Sequence, residues 1–221
     1  MRSSSRGFTL IELLVTLSII TILIGLVLPA LGAARRQARA IACLSNVRQI
    51  AMAGTMYAHD YDQYVGWSPG TDRKELLFPY LRQGESNLDT DGDQVWHCPS
   101  NRQVDEQASY GFNTYLNWVR LERIRQPTNT VALTDAGITD ALEPTLATHA
   151  FPPSATTFPN IGRPDPRHGG GSNVSVGFVD GHASTVVMEP PFYPDVPGEW
   201  FGNGVTDPDD PAYKDQMWDL N

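Results

Sequence analysis

The chain has 221 residues, 41% of them hydrophobic, with 16 Lys and Arg against 25 Asp and Glu and a formal net charge of −9. This length allows one domain with at most one appendage, the apolar content excludes disorder throughout, and two cysteines exclude a disulfide-dense scaffold. Residues 1–39 hold five Arg and one Glu (net +4), whereas residues 40–221 hold eleven basic and twenty-four acidic residues (net −13), so nucleic acid is not an expected partner.

A long apolar segment, residues 8–31, follows a short basic stretch, residues 1–7. As a helix its twenty-four residues would span roughly 36 Å, against about 30 Å for the hydrocarbon core of a bilayer. A secretory signal peptide that is removed on export has a shorter apolar region, of about 7–15 residues. The segment therefore predicts a transmembrane helix that the mature chain keeps.

Glu12 is the one charged residue of this segment. A carboxylate inside a bilayer costs about 2.5–3.5 kcal/mol on insertion scales, and no Lys, Arg or His lies between Gly7 and Arg35 to neutralise it. Glu12 stands one helical turn after Phe8. Cleavage between Gly7 and Phe8 would give Phe8 an α-ammonium group that pairs with Glu12 of an adjacent, axially offset copy.

The sequence RGFTLIELLV, residues 6–15, resembles the processing site of type IV prepilins and type II secretion pseudopilins. The resemblance implies a leader peptide of residues 1–7, cut between Gly7 and Phe8 by prepilin peptidase, and N-methylation of Phe8. It also implies that Glu12 serves assembly and that the helix kinks at Pro29.

The same resemblance implies a location and partners. The chain is expected in the inner membrane as a single-pass protein, with a cytoplasmic amino terminus and an extracytoplasmic head, and in a filament after assembly. Its expected partners are prepilin peptidase, other pilin or pseudopilin subunits, an inner-membrane assembly platform and membrane lipid.

Beyond Pro29 the apolar residues recur at three- and four-residue spacing, with arginines between them. This pattern predicts an amphipathic stem helix over residues 32–58. Because the stripe contains Ala and Gly, another element can approach it closely, and we interpret it as packing on its own head. The stripe consists of Leu31, Ala34, Ala38, Ile41, Val47, Ile50, Gly54 and Tyr57.

The head, residues 59–221, contains short strand-like runs, Pro- and Gly-rich connectors and an acidic C-terminal tail. Residues 131–134 predict a strand. Residues 173–188 predict a β-hairpin, because apolar residues alternate before and after Asp180-Gly181, a dipeptide that favours a two-residue type I′ turn. The predicted fold class is α+β: a pilin-like, long N-terminal helix packed on a small antiparallel sheet with long loops.

The head also resembles a prepilin subfamily named for an H-X9-DG signature. Eleven residues separate His168 from Asp180, where the signature has nine, and a longer strand or a bulge would absorb the difference. The matching residues are Cys43, Cys98-Pro99, Tyr110-Gly111-Phe112-Asn113, His168 and Asp180-Gly181-His182.

The topology implied by the resemblance puts Cys43 and Cys98 in an oxidising compartment. There they are candidates for a disulfide, worth about 4 kcal/mol by chain entropy. Two free thiols, or pairing with another chain, are the alternatives.

No cofactor is predicted for the chain, and calcium is the alternative. Asp89, Asp91 and Asp93 stand at alternate positions, as in calcium loops. An EF-hand would need Gly and an acidic residue where Gln94 and Ser100 stand, so a solvated acidic turn is the favoured interpretation.

Zinc or iron can be bound by two imidazoles and a carboxylate, which His168, Asp180 and His182 would supply. Their turn and strand positions explain them without a metal, and that interpretation is favoured. No Gly-x-Ser-x-Gly, Walker or His-Glu-x-x-His motif occurs in the sequence, so an enzyme is not expected.

The favoured function is a structural subunit of a type IV pilus-like or type II secretion pseudopilus filament. The alternative is a membrane-tethered extracytoplasmic binding domain that does not polymerise, and a secreted enzyme is a third hypothesis. Glu12 separates the first two, because a tether gains nothing from a buried carboxylate.

Overall fold

The computed structural model describes residues 9–64, 73–81, 94–101, 109–138, 149–150 and 163–188. The chain divides into two units, Met1–Ala38 and Arg39–Asn221. Several predicted features lie outside the described residues: the leader peptide, Gly7 and Phe8, the three candidate calcium ligands, and the acidic tail.

The first unit contains the N-terminal part of helix α1, which runs over Leu10–Tyr61 and so ends slightly beyond the predicted residue 58. Pro29 lies inside α1 without ending it, and the kink expected there stays a prediction. Within the described part of the chain, α1 is the one helix long and apolar enough to cross a membrane. The hydroxyls of Thr16, Ser18 and Thr21 donate to carbonyl oxygens one turn earlier, so the helix satisfies its own polar side chains.

The second unit places the rest of α1 on a mixed sheet. The strands that the structure describes follow the order β3-β1-β2-β5-β6, with β4 paired to β2. The pairs β1–β2, β2–β5 and β5–β6 are antiparallel, and β3 is parallel to β1. This is the α+β, pilin-like architecture that was predicted. The elements are α2 (Arg73–Leu81), β1 (Tyr110–Asn113), β2 (Val131–Ile138), β3 (His149–Ala150), β4 (Arg163–Pro164), β5 (Asn173–Phe178) and β6 (Ala183–Val187), with 3-10 turns at Thr114–Leu116 and Leu121–Arg123.

The sheet buries apolar side chains on both faces. Val47 and Ala51 of α1 pack in one cluster with Leu133, whereas Val174 and Val176 of β5 belong to a second cluster. A register shift in β2, between Val131 and Leu133, sends these two residues to different clusters. Such a bulge adds a residue to one strand and re-aims the side chains beyond it.

The predicted stem stripe is correct only in its second half. Val47, Ile50, Gly54 and Tyr57 are buried as expected, but Ile41 is 59% exposed. The buried face of α1 begins at Cys43 and adds neighbours that the stripe omitted. The additional buried residues are Cys43, Ala51, Ala53 and Ala58.

The hairpin β5–β6 forms as predicted, but its turn differs from the expected type I′. Gly177 pairs with Ala183, and the Phe178 amide donates to the His182 carbonyl (2.9 Å), which leaves a three-residue loop. Within that loop Gly181 has a positive φ and Asp180 does not, whereas type I′ requires both. Val179, the first residue of the loop, is buried in the core. In a two-residue turn Val179 would instead have been the last paired residue of the strand.

Candidate functional site

The carboxylate of Glu12 is bound by the residue that caps its helix. Glu12 Oε2 accepts hydrogen bonds from the Thr9 amide (2.8 Å) and the Thr9 hydroxyl (2.7 Å), and Thr9 Oγ1 accepts from the Glu12 amide (3.3 Å). This reciprocal arrangement is a capping box, with Thr9 as N-cap and Glu12 as the third helical residue. The Thr-x-x-Glu spacing could have been read from the sequence, and we missed it. The capping box supplies hydrogen bonds to the Glu12 carboxylate but no positive charge to neutralise it.

The first unit presents an apolar surface on every side of the helix. Its large apolar side chains are exposed throughout, from 81% at Leu10 to 43% at Leu31. Exposed apolar surface of this extent marks contact with lipid or with other proteins. This part of the chain is therefore built to lie in an apolar environment.

In the second unit, the predicted disulfide joins Cys43 of α1 to Cys98, 55 residues further along the chain. Both cysteines are buried. Two hydrogen bonds lie beside it: Asn46 Nδ2 donates to the His97 carbonyl (3.0 Å), and the Tyr110 hydroxyl donates to the Cys43 carbonyl (3.5 Å). The disulfide thus fastens the helix to the segment that carries Cys98.

His168 lies against this disulfide and against a buried carboxylate. Its Nε2 is 3.7 Å from Cys98 Sγ and 3.1 Å from Asp135 Oδ2. The same Asp135 oxygen accepts a hydrogen bond from the Ser175 amide (2.6 Å). The side chains of His168 and Asp135 are 3% and 0% exposed, so solvent does not contribute to their pairing. Because the sulfur and the carboxylate share one ring nitrogen, the trio lacks the two-sided imidazole geometry of a Cys-His-Asp catalytic triad.

A tight glycine turn brings His168 to this position. The His168 carbonyl accepts from the amides of Gly171 (2.9 Å), Ser172 (3.1 Å) and Asn173 (3.2 Å). Gly169, Gly170 and Gly171 all have positive φ, a conformation that costs other residues about 1–2 kcal/mol each. The eleven-residue spacer therefore consists of a turn followed by β5, rather than of a longer strand.

A second charged pair lies beside Asp135. Arg167 Nη2 is 2.6 Å from Asp165 Oδ2 and also donates to the Ala136 carbonyl. Burial raises the pKa of Asp165 above its usual value, while the Arg167 guanidinium works in the opposite direction. This pair adds two charged groups next to Asp135, with the Arg167 side chain 7% and the Asp165 side chain 22% exposed.

Asp180 and His182 form a separate pair at the hairpin loop. His182 Nδ1 is 2.5 Å from Asp180 Oδ1, which also accepts from the His182 amide (3.1 Å), and the His182 ring stacks on Phe178 at 4.2 Å. A Cβ on Gly181 would lie 3.3 Å from atoms of Met52 and Thr55. The Asp-Gly-His sequence thus closes the hairpin loop against α1.

The structure separates residues that the sequence analysis had grouped as metal candidates. His168 precedes β5 and His182 follows it, and a six-residue strand spans roughly 20 Å. His168, Asp180 and His182 therefore cannot share one ion. Within the described residues, the His, Cys, Asp and Glu side chains whose ligand atoms converge, within 4.8 Å of one another, are Cys43, Cys98 and His168.

Two further residues acquire a role only from the fold. Asp135 was missed, and its one signal is an acidic residue directly after the strand predicted at residues 131–134. Asn113 ends the Tyr-Gly-x-Asn match, and the structure explains it: its Nδ2 donates to the Val131 carbonyl (2.9 Å) and its Oδ1 accepts from the Tyr115 amide (2.9 Å).

Two family models match the chain. Residues 2–28 match the model described as "Prokaryotic N-terminal methylation motif", and residues 32–148, more than half of the chain, match the model described as "Protein of unknown function (DUF1559)". No curated protein and no solved structure matches the chain significantly. The methylation motif covers Glu12 and the apolar helix, and the second match covers both cysteines.

Proposed function

Because the chain belongs to the DUF1559 family and carries a prokaryotic N-terminal methylation motif, we propose that it is a structural subunit of a type IV pilus-like or type II secretion pseudopilus filament. In this proposal prepilin peptidase cuts after Gly7 and methylates Phe8. The apolar part of α1 stays in the inner membrane, the head is extracytoplasmic, and the chain joins other subunits without catalysing a reaction.

The observation that carries the proposal is the charge of Glu12 in an apolar helix. Among the described residues, Thr9 is the one that donates hydrogen bonds to its carboxylate, and no basic residue lies between Gly7 and Arg35 in the sequence. In a bundle of such helices the α-ammonium of Phe8 on a neighbour supplies the missing positive charge. Attraction between unlike charges is much stronger at low dielectric than in water, so the pair favours the bundle over the monomer.

The capping box supports a second explanation, in which Glu12 serves its own helix and the chain is a membrane-tethered binding domain. The two explanations differ in what Glu12 must supply. A capping box accepts Glu or Gln at its third helical position, whereas neutralising an ammonium group requires the carboxylate. Variants at Glu12 and Thr9 therefore distinguish a filament subunit from a tether.

We predict that Glu12→Gln leaves membrane insertion and cleavage after Gly7 unchanged but reduces assembly. Removing one partner of a buried ion pair costs about 3–5 kcal/mol. Thr9→Ala is the matched control, because it removes the capping box and keeps the charge; it is expected to assemble. The measurements are intact mass of the membrane-extracted chain, which should begin at a methylated Phe8, and recovery of cross-linked or sheared filaments.

Three results would contradict the proposal. If Glu12→Gln assembles as the parent does, the charge of Glu12 has no role in assembly. If neither the parent nor Thr9→Ala yields cross-linked or sheared filaments, the tether explanation replaces the filament. If the mature chain begins near Ala33, the apolar helix is a removed signal peptide and neither explanation holds.

A further inference from the structure

The sulfurs of the buried disulfide and an imidazole nitrogen converge at one place in the second unit. The Sγ atoms of Cys43 and Cys98 and a ring nitrogen of His168 lie within 4.8 Å of one another, and all three residues are buried. Ligand atoms of a tetrahedral zinc site, bound at about 2.0–2.3 Å, stand about 3.3–3.8 Å apart. His168 Nε2 already lies 3.7 Å from Cys98 Sγ, whereas the two sulfurs stand much closer because they are bonded.

A carboxylate oxygen lies next to the imidazole, outside the group of three ligand atoms that lie within 4.8 Å of one another. Asp135 Oδ2 lies 3.1 Å from the same imidazole nitrogen and is held there by the Ser175 amide. The other carboxylate oxygen, Oδ1, is buried and has no hydrogen-bond partner among the described residues. A buried polar atom without a partner is costly, and a cation bound at this carboxylate would remove that cost.

We propose that the reduced form of this chain binds one Zn²⁺ through Cys43, Cys98 and His168, with Asp135 in the fourth position. Two thiolates and an imidazole are the ligands that zinc prefers, and they disfavour calcium and magnesium. Disulfide formation removes both thiolates, so the disulfide and the metal exclude each other.

The chemistry balances with a dithiol as reductant. The dithiol gives two electrons and two protons to the Cys43–Cys98 disulfide and becomes a cyclic disulfide itself. Zn²⁺ then displaces the two thiol protons, which pass to the buffer. His168 binds through Nε2, the nitrogen that faces both Cys98 and Asp135. Nε2 gives up its hydrogen bond to the carboxylate, and its proton moves to Nδ1 of the same ring.

The site has a structural consequence that is independent of filament assembly. Cys43 belongs to α1 and Cys98 to the segment before β1, so either the disulfide or the metal fastens the helix to the rest of the second unit. The chain thereby keeps the same connection under oxidising and reducing conditions.

The test is cobalt titration of the full-length chain in detergent, with Co²⁺ as a spectroscopic probe for zinc. The chain is reduced anaerobically with a dithiol and freed of it by gel filtration. We expect one equivalent of Co²⁺ to bind with a thiolate-to-cobalt charge-transfer band and the visible bands of tetrahedral cobalt, and Zn²⁺ to displace it. The oxidised chain should show neither band.

Variants assign the ligands. His168→Gln should weaken Co²⁺ binding by more than about 100-fold, since loss of an outer-shell partner alone typically costs 10–100-fold. Cys98→Ser should abolish the charge-transfer band. His182→Gln is the matched control, because its imidazole is 45% exposed and lies at the hairpin loop; it should bind Co²⁺ as the parent does.

Near-ultraviolet circular dichroism shows whether the reduced head remains folded, and the proposal can fail in either case. A reduced chain with two alkylatable thiols that binds no Co²⁺ overturns it. So does binding that is equally tight in His168→Gln, because two thiolates alone would then account for it.

Discussion

Gly177 of β5 faces α1, and any other residue at this position would place a Cβ atom between the strand and the helix. A Cβ there would lie 2.7 Å from Leu133 Cδ2, 3.0 Å from Ala51 Cβ and 3.1 Å from Val47 Cγ1. Its φ lies outside the left-handed region, so the requirement for glycine is one of space. The close approach of helix and sheet therefore depends on this residue.

We expect Gly177→Ala to destabilise the folded chain by about 1–3 kcal/mol, the usual cost of overpacking a core. The measurement is the thermal midpoint of the detergent-solubilised chain, followed by near-ultraviolet circular dichroism. Leu133→Val shortens the side chain that meets the new Cβ first, so the double variant should lose less stability than the two single variants added together. If the stability losses of the two single variants simply add up in the double variant, the cost of Gly177→Ala does not come from its contact with Leu133.

Among the elements, the hairpin β5–β6 depends on α1 for its position. Thr55 Oγ1 lies 2.9 Å from the carbonyl oxygens of both Ala51, in its own helix, and Val179, in the hairpin loop. The Gly181 site packs on the same turn of α1. A side chain of the helix thus satisfies a carbonyl that the hairpin leaves unpaired.

Thr55→Val, which keeps the shape of the side chain and removes the hydroxyl, should lower stability by about 0.5–1.5 kcal/mol, the net worth of a hydrogen bond. Urea unfolding of the solubilised chain measures the change. Thr185→Val is the control: this residue is exposed in β6, so its substitution should leave the midpoint unchanged within error. Equal losses in both variants would contradict a specific role for Thr55.

At the scale of the whole molecule, tyrosine ionisation makes the stability of the fold depend on pH in the alkaline range. Burial raises the pKa of Tyr64 and of Tyr110 well above the ordinary 10.0. A hydrogen bond to the Asp60 carboxylate raises the pKa of Tyr80 to about 12. In each case the pKa in the folded state exceeds that in the unfolded state. The resulting stabilisation is complete below about pH 10 and is lost as pH rises through the folded-state values.

We therefore expect the folded chain to ionise fewer tyrosines between about pH 10 and 11 than the chain in denaturant. The remaining tyrosines should ionise together with loss of the near-ultraviolet signal. Tyrosinate absorbance measures both titrations, and Tyr80→Phe should remove the transition that corresponds to the pKa of Tyr80, raised to about 12 in the folded chain. Superimposable titrations of the folded and denatured chains would contradict this prediction.

The features that could be read from the sequence are those that depend on neighbouring residues. The apolar run after Gly7, the isolated Glu12 and the alternation around Asp180-Gly181 each lie within a short stretch of chain. Helix and hairpin preferences act over such distances, so α1 and the β5–β6 hairpin were predicted correctly. The disulfide, one of the alternatives open for Cys43 and Cys98, followed from the extracytoplasmic topology that the resemblance implies, because an oxidising compartment permits it.

The tertiary structure decided which distant residues meet. His168 was grouped with Asp180 and His182 because they belong to one signature and have metal-binding side chains. In the structure His168 pairs instead with Asp135 of β2 and with Cys98, in the segment before β1. The bulge in β2 likewise depends on the sheet register. The position at which the buried face of α1 begins, Cys43, depends on the packing of the helix against the sheet. A register is selected by the packing of the whole core. The sequence by itself therefore determined the apolar helix and its processing motif, and the fold determined the polar site around the disulfide.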